Sequence, residues 1–205
     1  MGLSAEQLRA GIDAAAKTEP AFARTLAAVG YPEPRLRPTG YQTLLRTIVG
    51  QQVSVAAAAS VWRKLETELG EAMAPDAVLA RDFETLRACG LSRQKQGYVR
   101  SLCELVVTGS LKLDDLPADD EAAIADLTRI KGIGRWSAEI YLLFAEGRPD
   151  IWPAGDLAVQ AGLHRILDLP TRPSEKETRA IAEAWRPHRG AIAILTWHAY
   201  NNPAL

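Results

Sequence analysis

The chain has 205 residues, 47% of them hydrophobic and 24% charged, and its formal net charge is −1. This length can bury a substantial core in one large domain or two small lobes. The near-neutral charge argues against a protein that coats nucleic acid over a wide face, and no apolar run approaches the length of a membrane span. Because the sequence opens without a signal-peptide pattern, we expect no membrane partner and a cytoplasmic location, associated with the nucleoid in a bacterium.

Helix signals occur along the whole chain. The predicted helices lie at about residues 4–17, 20–30, 41–49, 54–69, 92–107, 119–130, 136–145, 156–167, 174–185 and 189–200, with short helices at about 75–88. Ser4 with Gln7 has the pattern of a capping box, and Gly30 that of a C-cap. Few segments alternate with period two, so the predicted fold is all-α.

The helix that follows Ser54 carries an apolar stripe. Its members, which recur every three or four residues, are Val55, Ala58, Trp62, Leu65 and Leu69. This period is typical of a face turned toward a core, so we predict that Trp62 is buried.

Basic residues are unevenly distributed. Residues 34–65 and 85–103 contain no acid. Their cations are Arg35, Arg37, Arg46, Arg63, Lys64, Arg87, Arg93, Lys95 and Arg100. Such segregation indicates a basic surface of limited extent, although solvated helix faces would give the same pattern.

The cysteines and histidines do not form a metal-ligand pattern. Cys89 and Cys103 are isolated, which predicts buried free thiols instead of an iron–sulfur site. His164, His188 and His198 lack the spacing of a zinc site. We therefore expect that no cofactor is required.

Two turns stand out from the helices around them. Gly50-Gln51-Gln52-Val53-Ser54 is a polar break between apolar helices, and its glutamines could be functional or simply helix caps. In Gly90–Tyr98, Leu91 lies on a turn between basic residues, where we expect an exposed side chain. A local packing contact is an equal alternative for Leu91.

The most informative stretch is residues 127–160. Gly132 and Gly134 lie between two apolar helical runs, which predicts a helix, a tight hairpin and a helix. Glycine at both positions allows positive φ and brings main-chain N–H groups close to a ligand such as a phosphate oxygen. Asp156, 22 residues after Gly134, follows Trp152-Pro153-Ala154-Gly155 and opens the next helix. This pattern indicates a rigid loop that fixes one carboxylate at a helix N-terminus.

The pairing of residues 130–138 with 152–156 resembles the helix–hairpin–helix and Gly/Pro–Asp signature of base-excision DNA glycosylases. It is most similar to the AlkA-like branch, 3-methyladenine DNA glycosylase II. The resemblance implies two helical lobes with the active cleft between them. One lobe would combine residues of about 1–40 and 150–205, and the other about 41–149, with the helix–hairpin–helix at about 119–146. The implied partner is double-stranded DNA with a damaged base, bound by a monomer.

The resemblance also implies the DNA contacts. Gln52 matches the side chain that enters the space vacated by a flipped nucleotide, and Leu91 is a candidate second wedge. The hairpin residues expected to bind the DNA backbone are Lys131, Gly132, Ile133, Gly134 and Arg135. Carbonyl groups of Ile130 and Ile133 are candidates to hold a structural monovalent cation.

Asp156 is the implied catalytic residue, because a fixed carboxylate stabilises the positive charge that develops on the sugar. Trp197 and Trp136 match aromatic residues of the base pocket, which can recognise a cationic purine. Ile140 stands where an AlkA pocket often has tyrosine.

Members of the superfamily with lyase activity use a lysine just after the hairpin, and the matching position here is Trp136. The implied function is therefore a monofunctional glycosylase for alkylated purines such as 3-methyladenine and 7-methylguanine. Two alternatives stay open: a non-catalytic DNA-binding module, and a glycosylase for another class of lesion.

Overall fold

The computed structural model describes residues 2–202, and these residues form helices and loops without a β-strand, as predicted. The helices are α1 (Ala5–Thr18), α2 (Pro20–Val29), α3 (Tyr41–Gly50), α4 (Val55–Leu69), α5 (Pro75–Leu79), α6 (Phe83–Ala88), α7 (Arg93–Val107), α8 (Asp120–Thr128), α9 (Arg135–Tyr141), α10 (Leu157–Ile166), α11 (Glu175–Ala182) and α12 (Arg189–Tyr200). A π-helical turn, Leu142–Glu146, follows α9, and a 3₁₀ turn, Glu183–Trp185, follows α11. Within residues 2–202, each helix is too short or too polar to cross a membrane.

The predicted helix ends are confirmed where a side chain caps the helix. Ser4 and Gln7 form both bonds of the capping box of α1, and α2 ends at Gly30. Ser54 caps α4, and Asp156 caps α10. The short helices predicted within residues 75–88 are confirmed as α5 and α6. One predicted helix differs from the structure, because residues 142–145 are π-helical.

The chain divides into two compact units. The terminal unit combines Met1–Pro38 with Glu139–Leu205, and the central unit is Thr39–Ala138. The sequence placed the second boundary near residue 149, about ten residues later. Residues 139–149 belong to the terminal unit because the Phe144 carbonyl accepts a hydrogen bond from the Arg37 amide, and the Pro149 carbonyl accepts one from Gly190.

The core of the terminal unit surrounds α12. Nearly every residue of this helix is buried, which is typical of a helix at the centre of a domain. Gly162 of α10 lies against Thr196, whose side chain would be 2.7 Å from an added Cβ, so the two helices approach closely. Trp185 packs edge-on against Phe22 and Trp152, with ring centroids 4.9 and 5.5 Å apart. The terminal unit thus gives the loop before α10 a well-packed support.

A partly buried ion-pair cluster fixes the start of that loop. Arg189 donates to both carboxylate oxygens of Asp150, at 2.9 and 3.0 Å, and to Glu183 at 2.7 Å. Arg186 also pairs with Asp150 and Glu183, but its side chain is 51% exposed, compared with 9% for Arg189. Arg189 is therefore the interior member of the cluster.

The central unit has its own core. The fully buried residues in it include Leu44, Leu45, Ile48, Leu65, Leu86, Leu102 and Leu127. Trp62 is buried as predicted, and the Arg46 guanidinium lies over its ring, 4.1 Å from the centroid. The predicted stripe is wrong at Val55, which is 88% exposed, because the first two turns of α4 extend beyond the core.

Both cysteines are buried free thiols, as predicted. Cys103 lies 3.3 Å from the Tyr41 hydroxyl, and burial raises the pKa of its thiol to about 11. Because only the thiolate is a good nucleophile, Cys103 is unreactive near neutral pH.

We predict that Arg189→Met destabilises the protein by about 2–4 kcal/mol, because the nearly buried Asp150 carboxylate loses its main partner. Arg186→Met is the matched control, and its more exposed ion pairs should contribute less than about 1 kcal/mol. Urea unfolding of the three proteins measures the difference. Equal stabilities for the two variants would contradict the assignment of Arg189 as the interior member.

Candidate active site and nucleic-acid interface

Buried isoleucines anchor the hairpin between α8 and α9. The side chains of Ile130 and Ile133 are buried, and the Ile133 amide donates to the Ile130 carbonyl at 3.0 Å. Between and beyond them, Lys131, Gly132 and Gly134 are exposed. The alternation turns the backbone of the hairpin toward solvent while its apolar side chains hold it to the central unit.

The two glycines have different reasons to be glycine. Gly132 has φ +83°, and an added Cβ would lie 2.2 Å from Cδ2 of Tyr98. Gly134 lies outside the left-handed region, and among the described residues that are not its neighbours in the chain, no heavy atom comes within 4 Å of an added Cβ. Of the two glycines that allow positive φ, only Gly132 adopts it. An alanine methyl group therefore has room at Gly134 within the protein.

The two cations of the hairpin, Lys131 and Arg135, differ in their intramolecular contacts. The Lys131 amide donates to the Ser101 hydroxyl at 3.1 Å, and its side chain is exposed to solvent. The Arg135 guanidinium forms a bidentate pair with Glu121, with one N–O distance of 2.8 Å. Its charge is balanced within the protein, so a phosphate would have to compete with Glu121. Lys131 is the better placed of the two for DNA.

The polar break before α4 holds Gln52 in a rare conformation. Gln52 is exposed and has φ +54°, which few residues other than glycine adopt. Two side chains fix the loop. Gln51 Nε2 donates to the Gly132 carbonyl at 2.8 Å, and Lys95 Nζ donates to the Val49 carbonyl at 2.7 Å. Gln51 thus ties the candidate wedge to the hairpin, a link that separation in sequence concealed.

The expectation of an exposed Leu91 is wrong. Leu91 is 1% exposed, its amide donates to the Leu86 carbonyl at 3.2 Å, and its own carbonyl accepts from Gln96 at 3.1 Å. The alternative of a local packing contact is the one that fits. An apolar side chain on a polar turn is buried here because the turn folds back over the core.

Several cations of the predicted basic surface make intramolecular contacts. The Arg93 guanidinium lies 4.4 Å from the centroid of Phe83, and Arg100 donates to the carbonyls of Leu79 and Arg81. Burial also lowers the pKa of Lys95. Segregated charge along the sequence therefore overstates the charge free to bind DNA.

Asp156, in the terminal unit, caps α10. Its Oδ1 accepts three hydrogen bonds, from the amides of Ala158 and Val159 at 2.9 and 3.0 Å and from Trp197 Nε1 at 3.1 Å. The positive end of the helix stabilises negative charge at this position. The carboxylate is half-buried and fixed in orientation.

The loop before Asp156 is also fixed. The Asp156 backbone amide donates to the Pro153 carbonyl at 2.9 Å, and Nε2 of the buried Gln160 side chain donates to the Ala154 carbonyl at 2.8 Å. A carboxylate held from both sides in this way can meet positive charge without first reorganising.

Trp197 lies beneath other side chains. It is 6% exposed, its ring packs against Phe144 at 5.5 Å, and the Arg35 guanidinium covers it at 5.3 Å from the centroid. A stacking partner for a flipped base needs an open ring face, so this role of Trp197 stays a prediction. Phe144 belongs to the π-helical turn, an element often found at functional sites.

The other two predicted pocket residues lie on α9. Trp136, in the central unit, is 47% exposed, and Ile140, in the terminal unit, is buried. Their assignment to a base pocket stays a prediction.

The fold and these two sites together define a helix–hairpin–helix protein with a fixed carboxylate, the class found in DNA repair. A family model described as HhH-GPD superfamily base excision DNA repair protein matches residues 45–187. DNA-3-methyladenine glycosylase 1 of Schizosaccharomyces pombe is 32% identical over 161 residues, which are 77% of this chain and 71% of that protein. The chain belongs to the HhH-GPD superfamily, as its motifs predicted.

Solved structures agree with this membership. The crystal structure of a DNA-3-methyladenine glycosidase from Bacillus halodurans has a TM-score of 0.85 and 29% identity, covering 91% of this chain and 87% of that chain. A 3-methyladenine DNA glycosylase of Schizosaccharomyces pombe in complex with abasic DNA has a TM-score of 0.75 and 28% identity, covering 90% and 93%.

We predict opposite effects for alanine at the two hairpin glycines. Gly132→Ala should lower the free energy of unfolding by about 1–3 kcal/mol, because the methyl group meets Tyr98 and φ is positive. Gly134→Ala should melt like the wild type but bind every DNA sequence more weakly, if the exposed backbone there contacts a phosphate as we expect. Thermal melting and DNA titrations at fixed salt measure both. A sequence-selective loss of affinity in Gly134→Ala would argue against a backbone contact.

We also predict that Trp197→Phe slows base release by about 10- to 100-fold. The charged Asp156 carboxylate loses the N–H donor of the indole, while the aromatic packing stays. Trp152→Phe is a matched control, since the Trp152 Nε1 has no hydrogen-bond partner among residues 2–202. Single-turnover rates of the two variants measure the effect. Similar losses in both would mean that packing, and not the hydrogen bond, is responsible.

Proposed function

We propose that this protein is a monofunctional DNA glycosylase of the AlkA type, which releases alkylated purines from duplex DNA by hydrolysis. The observation that carries the proposal is Asp156 Oδ1, held by two helix amides and the Trp197 indole. A protein that only binds DNA does not need a carboxylate fixed in this way. Membership of a base-excision repair superfamily supports the same reaction.

The target base must leave the stack before its glycosidic bond can be cut, which costs a few kcal/mol and least for a damaged base. Gln52, exposed at the tip of a fixed loop, is the residue we assign to the vacated space. The exposed backbone at Gly132 and Gly134 would bind a phosphate, and Lys131 would neutralise part of its charge. Because Gln51 links the loop to the hairpin, insertion and grip would act together.

Cleavage of the bond between base and sugar develops positive charge at C1′. The Asp156 carboxylate would stabilise that charge and orient the attacking water. A purine alkylated at a ring nitrogen is already cationic and leaves as a neutral molecule, so it needs recognition more than protonation. This chemistry favours 3-methyladenine and 7-methylguanine as substrates.

Two further features belong to the proposal. Trp136 stands where a lyase would have its Schiff-base lysine, so the product would be an intact strand with an abasic site. A monovalent cation at the hairpin would help to neutralise a bound phosphate. The Ile130 carbonyl already accepts the Ile133 amide, but a carbonyl oxygen has two lone pairs and can also coordinate a cation.

The direct test is single-turnover incubation with DNA methylated at purines, with mass analysis of the released bases. We expect 3-methyladenine and 7-methylguanine in the supernatant and abasic sites in an uncut strand. Cleavage of the DNA strand without added alkali would contradict the monofunctional assignment. Tight binding of DNA with no base released would favour the non-catalytic alternative.

We predict that Asp156→Asn lowers base release by at least about 10²-fold, because a neutral amide cannot offset the charge on the sugar. Asparagine caps helices about as well as aspartate, so the fold and the affinity for abasic DNA should change little. Asp82→Asn makes the same change at the cap of α6, where Asp82 accepts from Thr85 at 2.8 Å, and controls for lost capping. Near-normal turnover of Asp156→Asn would remove this residue from the mechanism.

A further inference from the structure

An arginine occupies the aromatic surface beside the candidate catalytic carboxylate. The Arg35 guanidinium carbon lies 5.3 Å from the ring centroid of Trp197 and 5.7 Å from that of Phe144. The same indole donates its N–H to Asp156 Oδ1. A cation of the protein thus lies one side chain away from the carboxylate.

The backbone around Arg35 is fixed. Pro34 restricts the chain before it, and two residues later the Arg37 amide donates to the Phe144 carbonyl at 2.8 Å. We call residues 34–37 the strap. Gly2 packs so closely on the strap that an added Cβ would lie 2.7 Å from the carbonyl oxygens of both Arg35 and Phe144. Arg35 therefore projects from a supported strap and is more than a loose surface arginine.

The charge of Arg35 acts on Asp156. Burial lowers the pKa of the guanidinium, the neighbouring Arg37 lowers it further, and the Asp156 carboxylate acts in the opposite direction. An arginine stays charged under all these influences, because its unperturbed pKa is so high. The carboxylate consequently has a permanent positive neighbour.

We propose that Arg35 is a specificity-determining residue that shifts base release from cationic toward neutral purines, and this inference rests on the proposed glycosylase function. Hypoxanthine is the neutral purine with which we test this shift in selectivity.

The guanidinium has two effects on base release, and both favour neutral over cationic purines. A cationic purine would be attracted to the same aromatic surface and carboxylate as the Arg35 guanidinium, so the two positive charges would compete for them. A neutral purine leaves with negative charge developing on its ring, and guanidinium N–H donors stabilise such charge. Arg35 would therefore hinder the release of 7-methylguanine and assist that of hypoxanthine.

The test compares single-turnover release of hypoxanthine and 7-methylguanine by wild type, Arg35→Met and Arg37→Met. Methionine keeps an extended apolar side chain and removes the charge. Arg37 is the matched control, because its guanidinium lies over Phe144 at 5.6 Å on the same strap. We expect Arg35→Met to lower the ratio of hypoxanthine to 7-methylguanine rates by about 2- to 30-fold, with Arg37→Met near wild type.

A binding measurement tests the same selectivity without base release, so it applies even if neither hypoxanthine nor 7-methylguanine is released. DNA with a cationic pyrrolidine in place of the target sugar is compared with DNA carrying neutral tetrahydrofuran. Arg35→Met should favour the pyrrolidine duplex by a further 2- to 30-fold or so, because the positive neighbour of Asp156 is gone.

Three results would overturn the inference about Arg35. Unchanged ratios in both measurements would mean that Arg35 has no role in selectivity. Equal weakening toward both duplexes would make it a phosphate contact, and equal shifts in Arg37→Met would show a general charge effect. If Arg35→Met lowers the melting temperature, Arg35→Gln gives a second neutral side chain. Failure of the proposed function itself is seen separately, as a wild type that releases no base.

Discussion

The three hydrogen bonds to Asp156 Oδ1 are the constraint on which the candidate active site depends. Two of the donors, the amides of Ala158 and Val159, exist wherever a helix begins, and aspartate is a common cap. The third donor, Trp197 Nε1, comes from 41 residues further along the chain and turns a cap into a positioned carboxylate. Its placement requires α10 and α12 to be packed at a fixed distance, which Gly162 permits.

Different residues support the fold and face the solvent at the candidate sites. Helix α12 is buried along nearly its whole length and carries Trp197, while the interior pair of Arg189 and Asp150 fixes the loop that leads to Asp156. In the central unit, buried isoleucines hold a hairpin whose Lys131, Gly132 and Gly134 are exposed. Asp156, Gln52 and Lys131 are thus exposed or half-buried, and each is supported by a buried core. Such preorganisation is the main source of electrostatic catalysis.

The sequence predicted what local rules govern. Caps at Ser4, Ser54 and Asp156, and the hairpin between α8 and α9, depend on residues within one or two turns. It failed where tertiary contacts decide. Leu91 looked exposed because its neighbours are polar, yet the turn folds over the core. Arg35 was read only as part of a basic stretch, since the aromatic rings it covers lie more than 100 residues away in the sequence.

A double-mutant cycle with Asp156→Asn and Trp197→Phe, followed by single-turnover base release from methylated DNA, tests the central claim most directly. If Trp197 acts through the hydrogen bond to Asp156, then Trp197→Phe should slow the wild type markedly but change the rate of Asp156→Asn by less than about 2- to 3-fold, because coupled groups are not additive. Fully additive losses, with the same factor for Trp197→Phe in both backgrounds, would show that the indole acts independently and would contradict the account.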